Sequence, residues 1–157
     1  MADDAHRFAI RPARREDLPA IVRLLANDDL GSRRERYEDP LPDIYYQAFE
    51  TIESDPNNEV VVVEDDSGVI GTLQITFIPN LTYQGGIRAQ IEGVRIDDRY
   101  LGAGIGRQLF EWAIEHAREK GCHLVQLTAD KTRADAHRFY ESLGFKASHE
   151  GMKLHFE

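Results

Sequence analysis

The sequence predicts a mixed α/β fold, a central sheet of about seven strands with about four helices packed on it. Short apolar runs bounded by turn residues mark the strands. Four longer segments repeat their apolar residues at helical spacing and mark the helices. A strand–helix–strand stretch over residues 88–129 requires a crossover between parallel strands, expected to be right-handed.

The elements follow in order. Phe8–Arg11 reads as a strand closed by Pro12. A helix is expected over 16–26, where Leu18, Ile21, Val22 and Leu25 form one stripe and Pro19 falls in the tolerated first turn. The polar, Arg-rich stretch Asn27–Pro42 reads as a long loop, a type often functional in a compact domain. A second helix runs over 43–54 and stops at Asp55-Pro56. Glu59–Glu64 and Val69–Ile78 form a hairpin about the turn Asp65-Asp66-Ser67-Gly68. Arg88–Ile96 is a further strand, and strict alternation puts Gln90, Glu92, Val94 and Ile96 on one face. Gly104–Lys120 is the longest amphipathic helix, with Gly121 at its C-cap. Leu124–Ala129 is a strand, 134–143 a helix ended by Gly144, and Phe145–Ser148 and Met152–Phe156 are two final strands.

At 157 residues the chain has the size of one domain, with its core over about residues 8–156. The opening MADDAHR lacks an apolar core of the signal-peptide type, and no apolar run approaches bilayer length. A lone Cys122 makes neither an internal disulfide nor a cysteine zinc site, and the six histidines show no metal-binding spacing. These features imply a cytoplasmic protein without metal and without membrane attachment. The net charge of −9 speaks against nucleic acid as the main ligand. Its distribution is uneven: residues 1–90 hold 9 basic and 17 acidic residues, residues 91–157 hold 10 and 11. An anion is drawn to the second half and a cation to the first.

Leu101-Gly-Ala-Gly-Ile-Gly-Arg107 joins a strand to the longest helix. Alternate glycines strip Cβ atoms from one side of the turn, so a ligand can reach the backbone. A helix start leaves N–H groups without partners and carries partial positive charge. No Ser, Thr, Asn or Asp lies between Arg99 and Gln108 to cap them, and a phosphate satisfies such donors. The dinucleotide-binding fingerprint fails because Arg107 occupies its third glycine position, and the Gly-Lys-Ser/Thr of a P-loop is absent. The alternative is a tight turn capped by glycine and water.

Two motifs in order resemble the GCN5-related N-acetyltransferase (GNAT) family. Ile96-Asp-Asp-Arg-Tyr-Leu-Gly-Ala-Gly-Ile-Gly-Arg-Gln-Leu109 resembles its acetyl-CoA motif, and Ala136-His-Arg-Phe-Tyr-Glu-Ser-Leu-Gly-Phe145 its C-terminal signature. The element order is similar from Phe8 to Phe156. The resemblance implies a mostly antiparallel sheet and an acetyl-CoA-dependent N-acetyltransferase acting by direct attack in a ternary complex. In the usual frame Gly104 and Gly106 are the paired glycines and Leu101 stands where Arg or Gln is usual; a frame shifted by two begins at Arg99. Arg133 replaces a frequent Asn before the second motif.

From the resemblance, the cofactor-binding candidates are Val94, Arg95, Ile96, Leu101, Gly102, Ala103, Gly104, Ile105, Gly106, Arg107, Arg133 and Tyr140. Val94 and Ile96 would hydrogen-bond pantetheine where the strand splays from Leu124–Ala129, and a backbone N–H such as that of Val94 would hold the thioester oxygen. The catalytic candidates are Glu92, as general base toward a primary amine, and Tyr140, as general acid toward the departing thiolate. Glu92, on the face of Val94 and Ile96, is expected to be partly buried with a raised pKa; the alternative is a rim carboxylate. For Tyr140 the alternative is core packing with Ala136, Phe139 and Leu143. The acceptor expected is a small-molecule or protein amine, cationic in view of the acidic first half, and a homodimer is compatible with the final strands as pairing edges. The competing readings are a non-catalytic acyl-CoA-binding regulatory module and a structural domain whose glycine turn binds nothing.

Overall fold

Val60–Val63 is apolar at four consecutive positions because both faces of its strand are covered. The computed structural model describes residues 7–132 and 134–156. In it β2 (Asn58–Asp65) pairs antiparallel with β1 (Ala9–Pro12) and with β3 (Gly68–Pro79). β4 (Ile87–Ile96) pairs antiparallel with β3 and parallel with β5 (Cys122–Leu127). The order across the sheet is β1-β2-β3-β4-β5.

On one face Val61, Val63, Leu73, Ile75 and Ile91 pack against Ile105, Leu109 and Phe110 of α5 (Ile105–Glu119). On the other, Val62 packs against Ile21 and Val22 of α1 (Leu18–Leu25), Phe49 of α3 (Asp43–Glu53) and Leu41. α1 is entered through a 3₁₀ turn, Arg15–Asp17. There the buried Asp17 accepts from the Arg14 backbone N–H at 2.7 Å and from the Arg11 guanidinium at 2.7 and 3.0 Å. Arg11 also pairs with Glu64 across the β1–β2 ladder. Burial pushes the Asp17 carboxyl up, but these donors outweigh it and hold its pKa below the ordinary value.

The described residues form five strands rather than about seven. Phe145–Ser148 and Met152–Phe156 carry no strand, because a strand exists only where a ladder partner is present and neither segment has one. Asn27–Pro42 is not wholly loop. It contains a short helix, α2 (Asp29–Arg34), started by the Asp28 side chain accepting from the Gly31 N–H. Its one large apolar residue, Leu30, is half exposed, so no apolar stripe announces it. A four-residue turn, α4 (Thr82–Gly85), links β3 to β4 with Tyr83 and Gln84 in left-handed conformation, φ 53° and 59°. With α6 (Ala134–Ser142) the helices among the described residues number six, not about four.

Candidate active site

β4 breaks its own alternation. Thr72 stands opposite Arg95 and Gln74 opposite Glu92, so Leu73 alone faces both Gly93 and Val94. This is a β-bulge, and Gly93 occupies it with φ 62°. The bulge reverses the expected faces: Val94 and Ile96 join the α5 side, whereas Glu92 lies with Gln74 and Val60 on the α1–α3 side. Glu92 is exposed, so neither the shared face nor the burial expected for it is present. A glycine inside a strand was the available signal for the bulge.

Beyond the bulge the sheet opens. The β4–β5 ladder runs from Ile87–Cys122 to Ile91–Leu127 and stops there. β4 continues through Glu92–Ile96, paired only with β3 among the described residues. The edge of that half-strand toward β5 is the gap into which an extended ligand can add as a strand.

The gap ends at the glycine loop. A 3₁₀ turn, Asp98–Tyr100, follows β4 and is capped by the buried Asp97, whose N–H donates to the Ile70 carbonyl at 2.8 Å. Asp97 accepts from Arg99 N, Nε and Nη2 at 3.0, 3.1 and 3.0 Å, and Arg23 lies 3.7 Å away. The Arg99 guanidinium is the main reason its carboxyl sits below the ordinary value, against an opposing push from burial. Asn27 Nδ2 donates to Asp98 at 2.7 Å and ties the end of α1 to the same turn. The burial of Asp97 and its grip on Arg99 follow only from the fold.

Gly102 and Gly104 adopt φ 82° and 81°, and a Cβ built on either meets nothing within 4 Å. Their open side faces free space. Gly104 is the N-cap of α5 and no side chain caps that helix. The first intrahelical bond runs from Gln108 N–H to Gly104 O at 3.1 Å, which leaves the amides of Ile105, Gly106 and Arg107 to an external acceptor. The amides of Leu101 and Ala103 are spent inside the turn on Asp98 and Tyr100 carbonyls. Ile105 is buried as the first helical residue. Leu101 is 69% exposed.

The remaining candidates distribute around this turn. Gly106 lies against Ile96 and Phe139, its virtual Cβ at 3.8 and 3.9 Å from them, so the end of β4, the start of α5 and α6 meet there. Tyr140 on α6 is half-buried, its ring 5.4 Å from Phe110 and 6.1 Å from Phe145, on the α5 side of the sheet. The Arg107 guanidinium donates to Ser142 Oγ at 2.7 Å and joins α5 to α6. The Arg95 side chain turns to the α1–α3 face, donating to the Val94 carbonyl at 2.8 Å and pairing with Asp28 at 3.3 Å. Arg95 thus reaches the gap only through its backbone. Arg133 lies outside the described residues. No group of three or more metal-ligating side chains occurs among the described residues, and none of their helices is long and apolar enough to cross a membrane.

The chain is 35% identical over 86 residues to a glucosamine 6-phosphate N-acetyltransferase of Trypanosoma brucei brucei, covering 55% of this chain and 56% of the relative. It is 34% identical over 95 residues to an aminoalkylphosphonate N-acetyltransferase of Salmonella typhimurium, covering 60% and 61%. The matches therefore span little more than half the length of these relatives. Among solved structures, one described as a transcriptional regulator from Bacillus halodurans C-125 superposes with TM-score 0.92 at 57% identity, covering 96% of this chain and 100% of that one. The glucosamine-6-phosphate N-acetyltransferase of Arabidopsis thaliana, at 21% identity, shares the fold with TM-score 0.79 over 97% and 100% of the two chains. A family model described as the acetyltransferase (GNAT) family matches residues 22–145. The chain belongs to that family.

Proposed function

We propose that this chain, as one N-acetyltransferase domain over about residues 8–156, moves the acetyl group of acetyl-CoA to a primary amine. The observation that carries the reading is the open half of β4 leading directly into an uncapped, glycine-headed helix. A pyrophosphate completes the amides of Ile105, Gly106 and Arg107, while Gly102 and Gly104 leave room for it. The pantetheine arm then lies along Val94–Ile96, and a backbone amide of this half-strand, such as that of Val94, polarises the thioester carbonyl.

The bulge divides the chemistry between the two faces of β4. Glu92 is on the α1–α3 side, and an amine arriving there as its ammonium, ordinary pKa ~10.4, must first lose a proton. Glu92 takes that proton, directly or through water. The amine nitrogen attacks the carbonyl carbon, and the carbon–sulfur bond breaks. The thiolate leaves toward the α5 side, where the Tyr140 phenol protonates it. Base and acid on opposite faces match a nucleophile and a leaving group on opposite sides of the carbonyl.

The acceptors named for the two curated relatives are an amino-sugar phosphate and aminoalkylphosphonates, so small phosphorylated amines belong in the first panel beside cationic polyamines and peptide amines. The acidic first half favours a cationic acceptor. An acetyl-CoA-dependent reaction and one unpaired thiol both suit the cytoplasm. A nucleic-acid role of the kind the Bacillus halodurans description implies fits poorly with a net charge of −9.

The test is a panel of amines read by thiol release from acetyl-CoA. Tyr140→Phe and Glu92→Gln are each expected to lower kcat by about 10²-fold with the acetyl-CoA dissociation constant unchanged. Full activity in both variants would remove them from the mechanism. Tight acetyl-CoA binding without turnover across the panel would instead favour the regulatory module.

A further inference from the structure

The α1–α3 face of the sheet is incompletely filled. A cavity of about 160 Å³ lies there, lined by Ile21 and Leu25 from α1, Ala48 and Ile52 from α3, and Val60 and Thr72 from the sheet. Voids larger than a water molecule are few in a protein interior, so one of this size calls for an occupant. The polar side chains that line it are engaged elsewhere. Thr72 Oγ1 donates to the Val61 carbonyl at 2.9 Å, the Tyr45 hydroxyl donates to Glu35 at 3.0 Å, and Gln74 Nε2 donates to Asn58 Oδ1 at 2.9 Å. An ordered water needs about two to four polar partners, whereas carbon needs none. The space suits an apolar group.

The cavity reaches the surface beside the proposed base. Ala48 and Gly93 both line it, and both are exposed. Gly93 is the bulge residue and Glu92 directly precedes it. Gln74, which stands opposite Glu92 in the β3–β4 ladder, lines the same space. The bulge keeps this end open, because the residue placed over it has no side chain, and a Cβ there would meet Leu25 Cδ2 at 3.8 Å. An apolar hole and an exposed carboxylate share one rim.

We infer that the acceptor is a primary amine carrying an apolar arm, and that this cavity binds the arm while Glu92 meets the amine. The inference rests on the acetyltransferase reading above and adds to it the class of acceptor. Volume sets the size of the arm: an apolar cavity of about 150 Å³ holds a benzene molecule, so a chain or ring of about six carbons fits here. The ammonium end suits the acidic first half of the chain. An amino-sugar phosphate has no apolar group to place in the cavity.

Two measurements test this. Across ethylamine, butylamine and hexylamine, kcat/KM should rise about 3-fold or more per added methylene. A flat series among amines that are turned over would overturn the inference and leave the acetyltransferase reading standing. Binding decides independently of turnover. Hexylamine titrated calorimetrically with coenzyme A present should bind saturably. Ala48→Leu, which fills the mouth from an exposed helical position, should weaken that binding at least ~10-fold, with coenzyme A affinity and the circular dichroism spectrum unchanged. No saturable binding, or equal affinity in the variant, would refute the inference. Hexylamine binding that the variant weakens, without turnover of any amine, would support the cavity as an apolar-amine site and sink the catalytic reading instead.

Discussion

Single residues govern the proposed chemistry through their backbone angles as much as through their side chains. Gly104 at φ 81° is both the N-cap of α5 and the open floor of the proposed anion site. Gly104→Val adds left-handed strain of about 1–2 kcal/mol and places a side chain where the phosphates would sit. Acetyl-CoA affinity is expected to fall at least ~10-fold, the equivalent of about 1.4 kcal/mol, in a calorimetric titration. Gly93, at φ 62°, is a cleaner probe of the bulge, since an added Cβ meets only Leu25 Cδ2 at 3.8 Å. Gly93→Ala should cost about 1–2 kcal/mol in urea unfolding through strain alone. A larger loss of activity than of stability would tie the bulge to the placement of Glu92 and Val94. The glycine turn and the helix that carries Tyr140 were legible in the sequence because their patterns are local. Which face Glu92 occupies was not, because one bulge residue inverts every side chain beyond it.

Among the elements, α5 does two things with one sequence. In the proposed site its first turn offers amides to a ligand, and its apolar stripe anchors the sheet through Ile105, Leu109 and Phe110. Phe110 is the hinge between these roles, with edge-to-face contacts to Phe139, Tyr140 and Phe145 at 5.7, 5.4 and 6.3 Å. Phe110→Ala is expected to destabilise the protein by about 3–5 kcal/mol. It should also loosen α6, on which Tyr140 rides, so turnover should fall further than acetyl-CoA binding. Strongly periodic helices such as α5 and paired strands such as β2–β3 were readable from spacing. α2 was not, since its start rests on the Asp28 cap rather than on an apolar stripe. The two final strands were expected from short apolar segments bounded by turn residues, a pattern that reports how a segment would pack and not whether a partner is present.

For the molecule as a whole, two buried carboxylates set the acid limit. Asp17 ties β1 to α1 through Arg11, and Asp97 ties the end of β4 to Arg99 and Arg23. Both carboxyls are held below their ordinary pKa of 3.8 in the folded state. The unfolded chain therefore binds their protons first as pH drops, and the stability they contribute is complete above about pH 4 and lost as pH falls through the folded values. Thermal melts should show a midpoint that falls steeply on acidification from pH 5 to 2, less steeply in Asp17→Asn. A slope unchanged by that substitution would locate the acid sensitivity elsewhere.

In the proposed function an open strand edge and bare helix amides act together as a cofactor site. Calorimetric titration of acetyl-CoA into the full chain tests this most directly. Saturable one-to-one binding is expected, weakened at least ~10-fold by Gly104→Val while the fold survives. Absence of binding heat, or equal affinity in that variant, would contradict it.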